Sequence, residues 1–274
     1  MSDLLIHSMS EFEALFLPVL EKAGARRIAE IGSEFGGMSR ILADFCEGQG
    51  GQLTCIDPKP KVEFIDWVAA NPHIDHVARP SLTALKTLAD VDAWVIDGDH
   101  NYYTVSRELA AIDAIAARDG KPLLTFLHDV SWPWARRDLY YTPEEIPAQH
   151  RQPLSYDHGV VLGEPLAREG RGMRGHGQFA VALEAGGERN GVLTAVEDFL
   201  GGAHTSERPL YFVQVPAVFG LGVVFDASAD WAEDAAQFLL PFHQNPILAR
   251  LEENRLRNWL KVIDMQDEAA AAAS

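Results

Sequence analysis

The 274-residue chain carries 40 acidic against 23 basic side chains, a formal net charge of −17. This argues against nucleic acid as a partner, because duplex binding needs a basic face that releases counterions. No apolar run reaches the roughly 20 residues that span a bilayer, and Met1 to Ser10 shows no basic start followed by an apolar run, so the expectation is a cytoplasmic protein with no membrane or signal segment. The two cysteines, Cys46 and Cys55, fall in predicted apolar elements and read as reduced core residues, not a disulfide framework.

The chain reads as a single domain over 1–274, with an N-terminal helix in 1–25. Ser10-x-x-Glu13 has the form of a capping box, and Phe12, Leu15, Phe16, Val19 and Leu20 follow on one helical face. Arg26 to Ile31 is a short buried strand. It opens into Gly32-Ser33-Glu34-Phe35-Gly36-Gly37, after which Met38, Ile41, Leu42 and Phe45 recur at helical spacing. A strand, a glycine turn and a helix N-terminus form a ligand crevice at the carboxyl end of a sheet. A dinucleotide turn wants G-x-G-x-x-G, and Glu34 stands where the second glycine would be, facing a pyrophosphate repulsively. The alternative is a β-turn-α junction with no ligand.

Gln52 to Ile56 is the second strand, ending in Asp57-Pro58. A carboxylate there lies beside the glycine turn and can accept both hydroxyls of a ribose, or it forms a turn before proline. A helix through Phe64, Ile65, Trp67 and Val68 leads to a short strand near Ile74 to Val77, then Ser81. Two apolar strands follow, and both run into ionisable clusters. Val91 to Ile96 ends in Asp97-Gly98-Asp99-His100, and Pro122 to Leu127 ends in His128-Asp129; a helix between them carries Val105, Leu109, Ile112 and Ile115. Several ligands or catalytic groups would thereby meet at one point of the crevice. The bland readings are capping acids around Gly98 and a satisfied core histidine at 128.

Residues 131–190 break the rhythm and read as a lid insertion covering the substrate, with Trp132, Trp134, Tyr140 and Tyr141 in an ordered part and a mobile glycine-rich part from Gly159. Arg136 and Arg137 are placed to pair with an acidic substrate group or with Asp138 or Glu144. Arg168, Arg171 and Arg174 read as a solvated loop. A helix with Val192, Ala195, Val196 and Phe199 precedes two close strands, Tyr211 to Val215 and Leu221 to Phe225. A final helix carries Leu248 to Ile263, and the alanine-rich tail, 266–274, is expected to be flexible.

Glu30-x-Gly32-x-x-x-Gly36 resembles the first motif of class I S-adenosylmethionine (SAM)-dependent methyltransferases. Asp97-Gly98-Asp99-His100-x-Tyr102 with His128-Asp129 resembles the metal-dependent small-molecule and sugar O-methyltransferase branch, the macrocin O-methyltransferase-like and cephalosporin-hydroxylase-like proteins. The resemblance covers roughly residues 26–226. It implies an α/β, Rossmann-like, seven-stranded, mostly parallel sheet with a reversed C-terminal strand. It also implies SAM held by Glu30, Gly32, Ser33, Gly36, Asp57, Ser81 and Asp97, with Ser81 at the adenine unless it is a helix cap. A divalent cation, magnesium or manganese, is implied on Asp97, His128 and Asp129, although the family pair is usually two oxygen donors and His128 departs from it. Catalytic roles fall on Asp97, His100 and His128. The implied reaction is methyl transfer to a hydroxyl of a small molecule, a sugar or glycosylated natural product, by a monomer or homo-oligomer. A nicotinamide-dependent oxidoreductase and a non-catalytic SAM-binding module are the other readings.

Overall fold

The computed structural model describes residues 8–202 and 208–273. Helix α1 (Glu13–Lys22) is preceded by a 3-10 turn, Met9–Phe12. The cap is Ser8 and not Ser10: the Ser8 hydroxyl accepts the Ser10 N–H, and Phe12 heads the helix proper. Strands β1 (Arg27–Ile31), β2 (Gln52–Ile56), β3 (Asp75–Val77), β4 (Ala93–Ile96) and β5 (Leu124–His128) alternate with α2 (Gly37–Gly48), α3 (Val62–Ala70), α4 (Ser81–Ala84) and α5 (Tyr102–Asp119). The insertion holds β6 (Leu139–Tyr140), β7 (Leu154–Ser155), β8 (His158–Gly159), β9 (Arg168–Glu169) and β10 (Ala180–Ala182). After it come α6 (Val192–Gly201), β11 (Leu210–Val215), β12 (Leu221–Asp226), α7 (Ala232–Leu239) and α8 (Pro246–Ala273).

The main sheet has the order β11-β12-β5-β4-β1-β2-β3. β1 to β5 pair in parallel, and β12 runs antiparallel to both β5 and β11, which is the expected reversed last strand. Parallel strands are covered on both faces and so read as continuous apolar runs. Alternate side chains sort to two cores. Ile28, Leu53, Val95 and Phe126 face Phe16, Leu20 and Leu42, whereas Ala29, Ile56, Trp94 and Leu127 face Leu109, Ile112 and Val196.

Register then positions the site. Ile31 pairs with both Ile56 and Ile96, and Ile96 pairs with Leu127. Asp57, Gly32, Asp97 and His128 therefore stand in a row across four neighbouring strand ends.

The insertion differs from its expectation. The glycine-rich half is built into structure: β10 lies between β6 and β7, and β8 pairs with β9. Arg171 pairs with Asp264 and Arg174 with Asp267 of α8, while Arg168 pairs with Glu164, so the three arginines are used within the chain. Trp134 and Tyr140 are core residues, not lid surface. Helix α7, unpredicted, packs Ala232, Ala235 and Leu239 into the first core. The tail does not fray at 266. Helix α8 continues through Ala273, as an alanine run with the highest helix propensity permits. Cys46 and Cys55 are buried and unbridged, and burial pushes the Cys46 thiol up to about 12. Among the described residues no helix is long and apolar enough to cross a membrane.

Glu108 on α5 is fully buried and faces the Ser81 hydroxyl. Burial pushes its carboxyl up to about 8, which the Ser81 contact offsets only in part. The folded chain thus keeps this proton up to that pH, whereas the unfolded chain loses it near 4.5. Between the two values the native state binds more protons, so stability falls as pH rises. Glu108→Gln is expected to raise the melting temperature by a few degrees at pH 8 and to leave it nearly unchanged at pH 4.5. Thermal unfolding across that range checks it, and an equal change at both pH values would contradict it.

Candidate active site

Gly32 leaves β1 with φ of 89°, and a Cβ there would meet the carbonyl oxygen of Asp97 at 2.2 Å. Only glycine fits between the ends of β1 and β4. The turn is then tied from both sides. The Ser33 and Glu34 N–H groups each donate to Asp57 Oδ2 at 3.0 Å, and Ser33 and Ser39 hydroxyls donate to Glu30 Oε2 at 3.2 and 2.5 Å. Burial pushes the Glu30 carboxyl up to about 7, against the lowering effect of the Ser39, Cys55 and Ser33 hydrogen bonds. Glu30 thus organises the turn, as its position at the strand end suggests. Gly36, at φ of 79°, caps α2 in the left-handed region that favours glycine.

Asp57 takes the turn-forming role expected before Pro58 and adds a second one. One oxygen clamps the glycine turn and the other accepts the Lys59 N–H at 2.8 Å, a turn-forming use. Ser81 begins α4 without capping it, since Pro80 holds the cap position, and its hydroxyl faces Glu108.

The second half of the site is a network of two acids and two histidines. Asp97 Oδ1 lies 3.1 Å from His128 Nδ1. Asp129 Oδ2 lies 3.0 Å from His100 Nδ1 and 3.3 Å from His128 Nδ1. The other nitrogen of His128, Nε2, is 2.8 Å from the Val218 carbonyl oxygen. A carbonyl only accepts, so Nε2 carries a proton; Nδ1 faces two carboxylates and carries one as well. Burial alone would lower the His128 pKa, but the Asp97 and Asp129 carboxylates outweigh it and hold the ring well above the ordinary histidine value. Both ring nitrogens of His128 are thus engaged by acceptors.

The resemblance implies a metal on Asp97, His128 and Asp129, and the geometry groups a different set. His128 has no lone pair directed at the cleft, and the residues whose ligand atoms gather within 4.8 Å of one another are Asp97, His100 and Asp129. His100 Nδ1 donates to Asp129, which leaves Nε2 as the nitrogen able to accept a proton or ligate an ion. Asp97 is the open edge of the network, its side chain 25% exposed against 4% for Asp129.

Asp129 sits at φ of 64°. Aspartate tolerates this region better than most residues, though such a position costs about 1–3 kcal/mol. The conformation turns the carboxylate back between the two histidines.

From the insertion, Tyr141 is the aromatic that stands over the site. It is half-exposed and meets His100 edge-on at 6.1 Å and Phe179 at 6.2 Å, with the Asp129, Asp97, Glu34 and Asp99 carboxylates around its phenol. The neighbouring arginines are engaged within the chain. Arg136 forms a two-pronged pair with Glu197, and Arg137 is buried, donating to the Ala182 and Pro165 carbonyls.

Three residues have roles in the structure that the sequence did not assign. Asp138 is a buried hub that accepts from the N–H groups of Tyr102 and Gly191, at the starts of α5 and α6, and from the Tyr140 hydroxyl, each at 2.7 Å. Asn101 caps α5 through the Thr104 N–H; an asparagine just before the helical run was the available signal. Phe12, from the first turn of the chain, packs edge-on to His128 at 6.2 Å, and no local pattern announces it.

Residues 29–130 match the family model described as a methyltransferase domain. The match covers the glycine turn, Asp57, Ser81 and both ionisable clusters, and it bears out the methyltransferase resemblance there. No curated protein matches the sequence. Among solved structures, a methyltransferase of Podospora anserina with S-adenosylhomocysteine bound is similar at 12% identity, covering 80% of this chain and 79% of its own, with a TM-score of 0.48. The O-methyltransferase TomG of Streptomyces achromogenes, in complex with SAM, is similar at 16% identity over 80% of each chain, with a TM-score of 0.46.

Proposed function

We propose that this chain, whose residues 29–130 match a methyltransferase domain, transfers the methyl group of SAM to a hydroxyl of a small molecule. One observation supports this most: the register sets the Gly32 turn directly beside Asp97, and His100, on the same β4 end, pairs with Asp129 one strand further on. A donor on the turn and an acceptor over the network would meet without either moving.

Methyl transfer is an in-line displacement, so holding the two reactants in register supplies much of the rate. A neutral alcohol must also lose its proton. Asp129 orients the His100 ring through Nδ1, and Nε2 is the nitrogen left to act as a base, an arrangement in which a carboxylate orients an imidazole. Asp57, Ser33 and the free N–H groups of α2 would hold the donor. Tyr141 offers a flat apolar wall suited to a sugar or ring, and the carboxylates around it disfavour an anionic acceptor.

A second reading adds a divalent cation. Asp97, His100 and Asp129 offer two oxygens and one nitrogen, a donor set that suits manganese or another imidazole-accepting metal better than magnesium. The ion would polarise the acceptor hydroxyl. His100 would then be a ligand and not the base.

Transfer of labelled methyl from SAM to a panel of hydroxylated sugars, glycosides and phenols, with and without a chelator, tests both forms. Transfer that survives chelation supports the His100 base, and transfer lost on chelation and restored by manganese supports the ion. Hydride exchange with a nicotinamide cofactor in place of methyl transfer would contradict the proposal.

A further inference from the structure

The loop joining β11 to β12, residues 216–220, reaches over the end of β5. Val218 and Phe219 there hold φ of 45° and 63°. A β-branched residue at positive φ is an outlier, because its Cβ crowds the backbone. Such a conformation persists only where its surroundings over-determine it.

Here they do. The Phe219 N–H donates to Glu252 Oε1 of α8 at 3.1 Å, and the Phe219 carbonyl accepts the Ser131 N–H at 2.7 Å. Gly220 packs so close to Ser131 that a Cβ would meet its hydroxyl at 2.5 Å. Glu252 is buried and gripped in turn by Arg255, whose Nε and Nη2 reach its two oxygens at 2.7 Å. Arg255 also lies over the Phe219 ring, 5.8 Å from its centre. Burial would raise the Glu252 pKa, but the Arg255 pair and the loop N–H hold it below the ordinary value. The consequence falls on His128: the Val218 carbonyl that the loop presents is the acceptor of Nε2–H, and that bond sets Nδ1 against Asp97 and Asp129.

We infer that Glu252 is a positioning residue: by pinning the 216–220 loop it fixes the ring of His128, and through that ring the two site carboxylates. It touches no reacting group. Anchoring α8 does not require it, because Leu256 and Leu260 are buried on the same helix and Asp264 and Asp267 tie its far end to the insertion. The catalytic value of the clamp rests on the proposed methyl transfer, but the clamp itself does not.

The test uses protein labelled with 15N-histidine, in which the Nε2–H signal of His128 is protected by its carbonyl partner. Glu252→Gln keeps an acceptor oxygen and should retain the signal. Glu252→Ala should broaden or shift it and lower kcat on the order of 10-fold or more, with KM for SAM unchanged. If the alanine variant does not fold, Arg255→Met, which keeps the carboxylate but releases it, is expected to broaden the same signal. A His128 signal identical to wild type in a folded Glu252→Ala, or in Arg255→Met, overturns the inference. Wild-type protein that transfers no methyl group would remove the functional reading while leaving the His128 signal to decide the clamp.

Discussion

Asp129→Asn is expected to lower kcat for methyl transfer by about 10²- to 10⁴-fold while leaving SAM affinity within about twofold. The substitution isolates charge from shape. Asparagine is isosteric and tolerates the left-handed backbone that residue 129 adopts at φ of 64°, so the local backbone can keep its course, although loss of the charge beside buried His128 is expected to lower stability. What changes is the oxygen at 3.0 Å from His100 Nδ1 and 3.3 Å from His128 Nδ1. An amide turned to present its nitrogen cannot accept from His100. An amide that presents its oxygen still lacks the charge that favours a developing imidazolium. SAM affinity should hold because residue 129 follows β5, two strands away from the glycine turn. Initial-rate kinetics and a SAM titration on the same preparation read the two parameters separately. Activity within a few-fold of wild type would remove Asp129 from the chemistry, under the base and metal readings alike.

Gly32→Ala is the second large expectation: loss of measurable SAM binding together with a fall in stability. The added methyl group would sit 2.2 Å from the Asp97 carbonyl oxygen, a backbone atom that cannot step aside as a side chain can. The residue also holds φ of 89°, which alanine occupies only with strain. Relief requires β1 and β4 to part at their carboxyl ends, which moves the donor turn and Asp97 together. Gly48→Ala is the control. Nothing lies within 4 Å of a Cβ there and the residue ends α2, so alanine should be neutral or slightly stabilising. Calorimetric SAM titration alongside thermal unfolding checks the pair. A Gly32→Ala protein that binds SAM like wild type would show that the turn is not the donor site.

The strand-end residues were legible from the sequence because buried parallel strands announce themselves as apolar runs, and whatever polar residue ends such a run must stand at the sheet edge. Glu30, Asp57, Asp97 and His128 were placed by that rule, and the reversed last strand by the close Tyr211 to Phe225 pair. The direction of a side chain at the edge is a different matter. The family resemblance makes His128 a ligand, but its orientation depends on the Val218 carbonyl, 90 residues away. Likewise Arg137 looks like a surface cation until β10 and Pro165 are folded over it, and Trp134 and Tyr140 look like lid residues until the small sheet buries them. The glycine-rich stretch reads as mobile because its order comes from two-residue and three-residue strands, β6, β7, β8, β9 and β10, too short to leave a local pattern, and from ion pairs to distant α8.

The glycine turn is the proposed seat of the methyl donor, and a calorimetric titration of the wild-type protein with SAM tests that most directly. Saturable binding of one SAM per chain, competed by S-adenosylhomocysteine and indifferent to NAD and NADP, is the result it predicts. No heat with SAM, or saturable binding of a nicotinamide dinucleotide in its place, would contradict it.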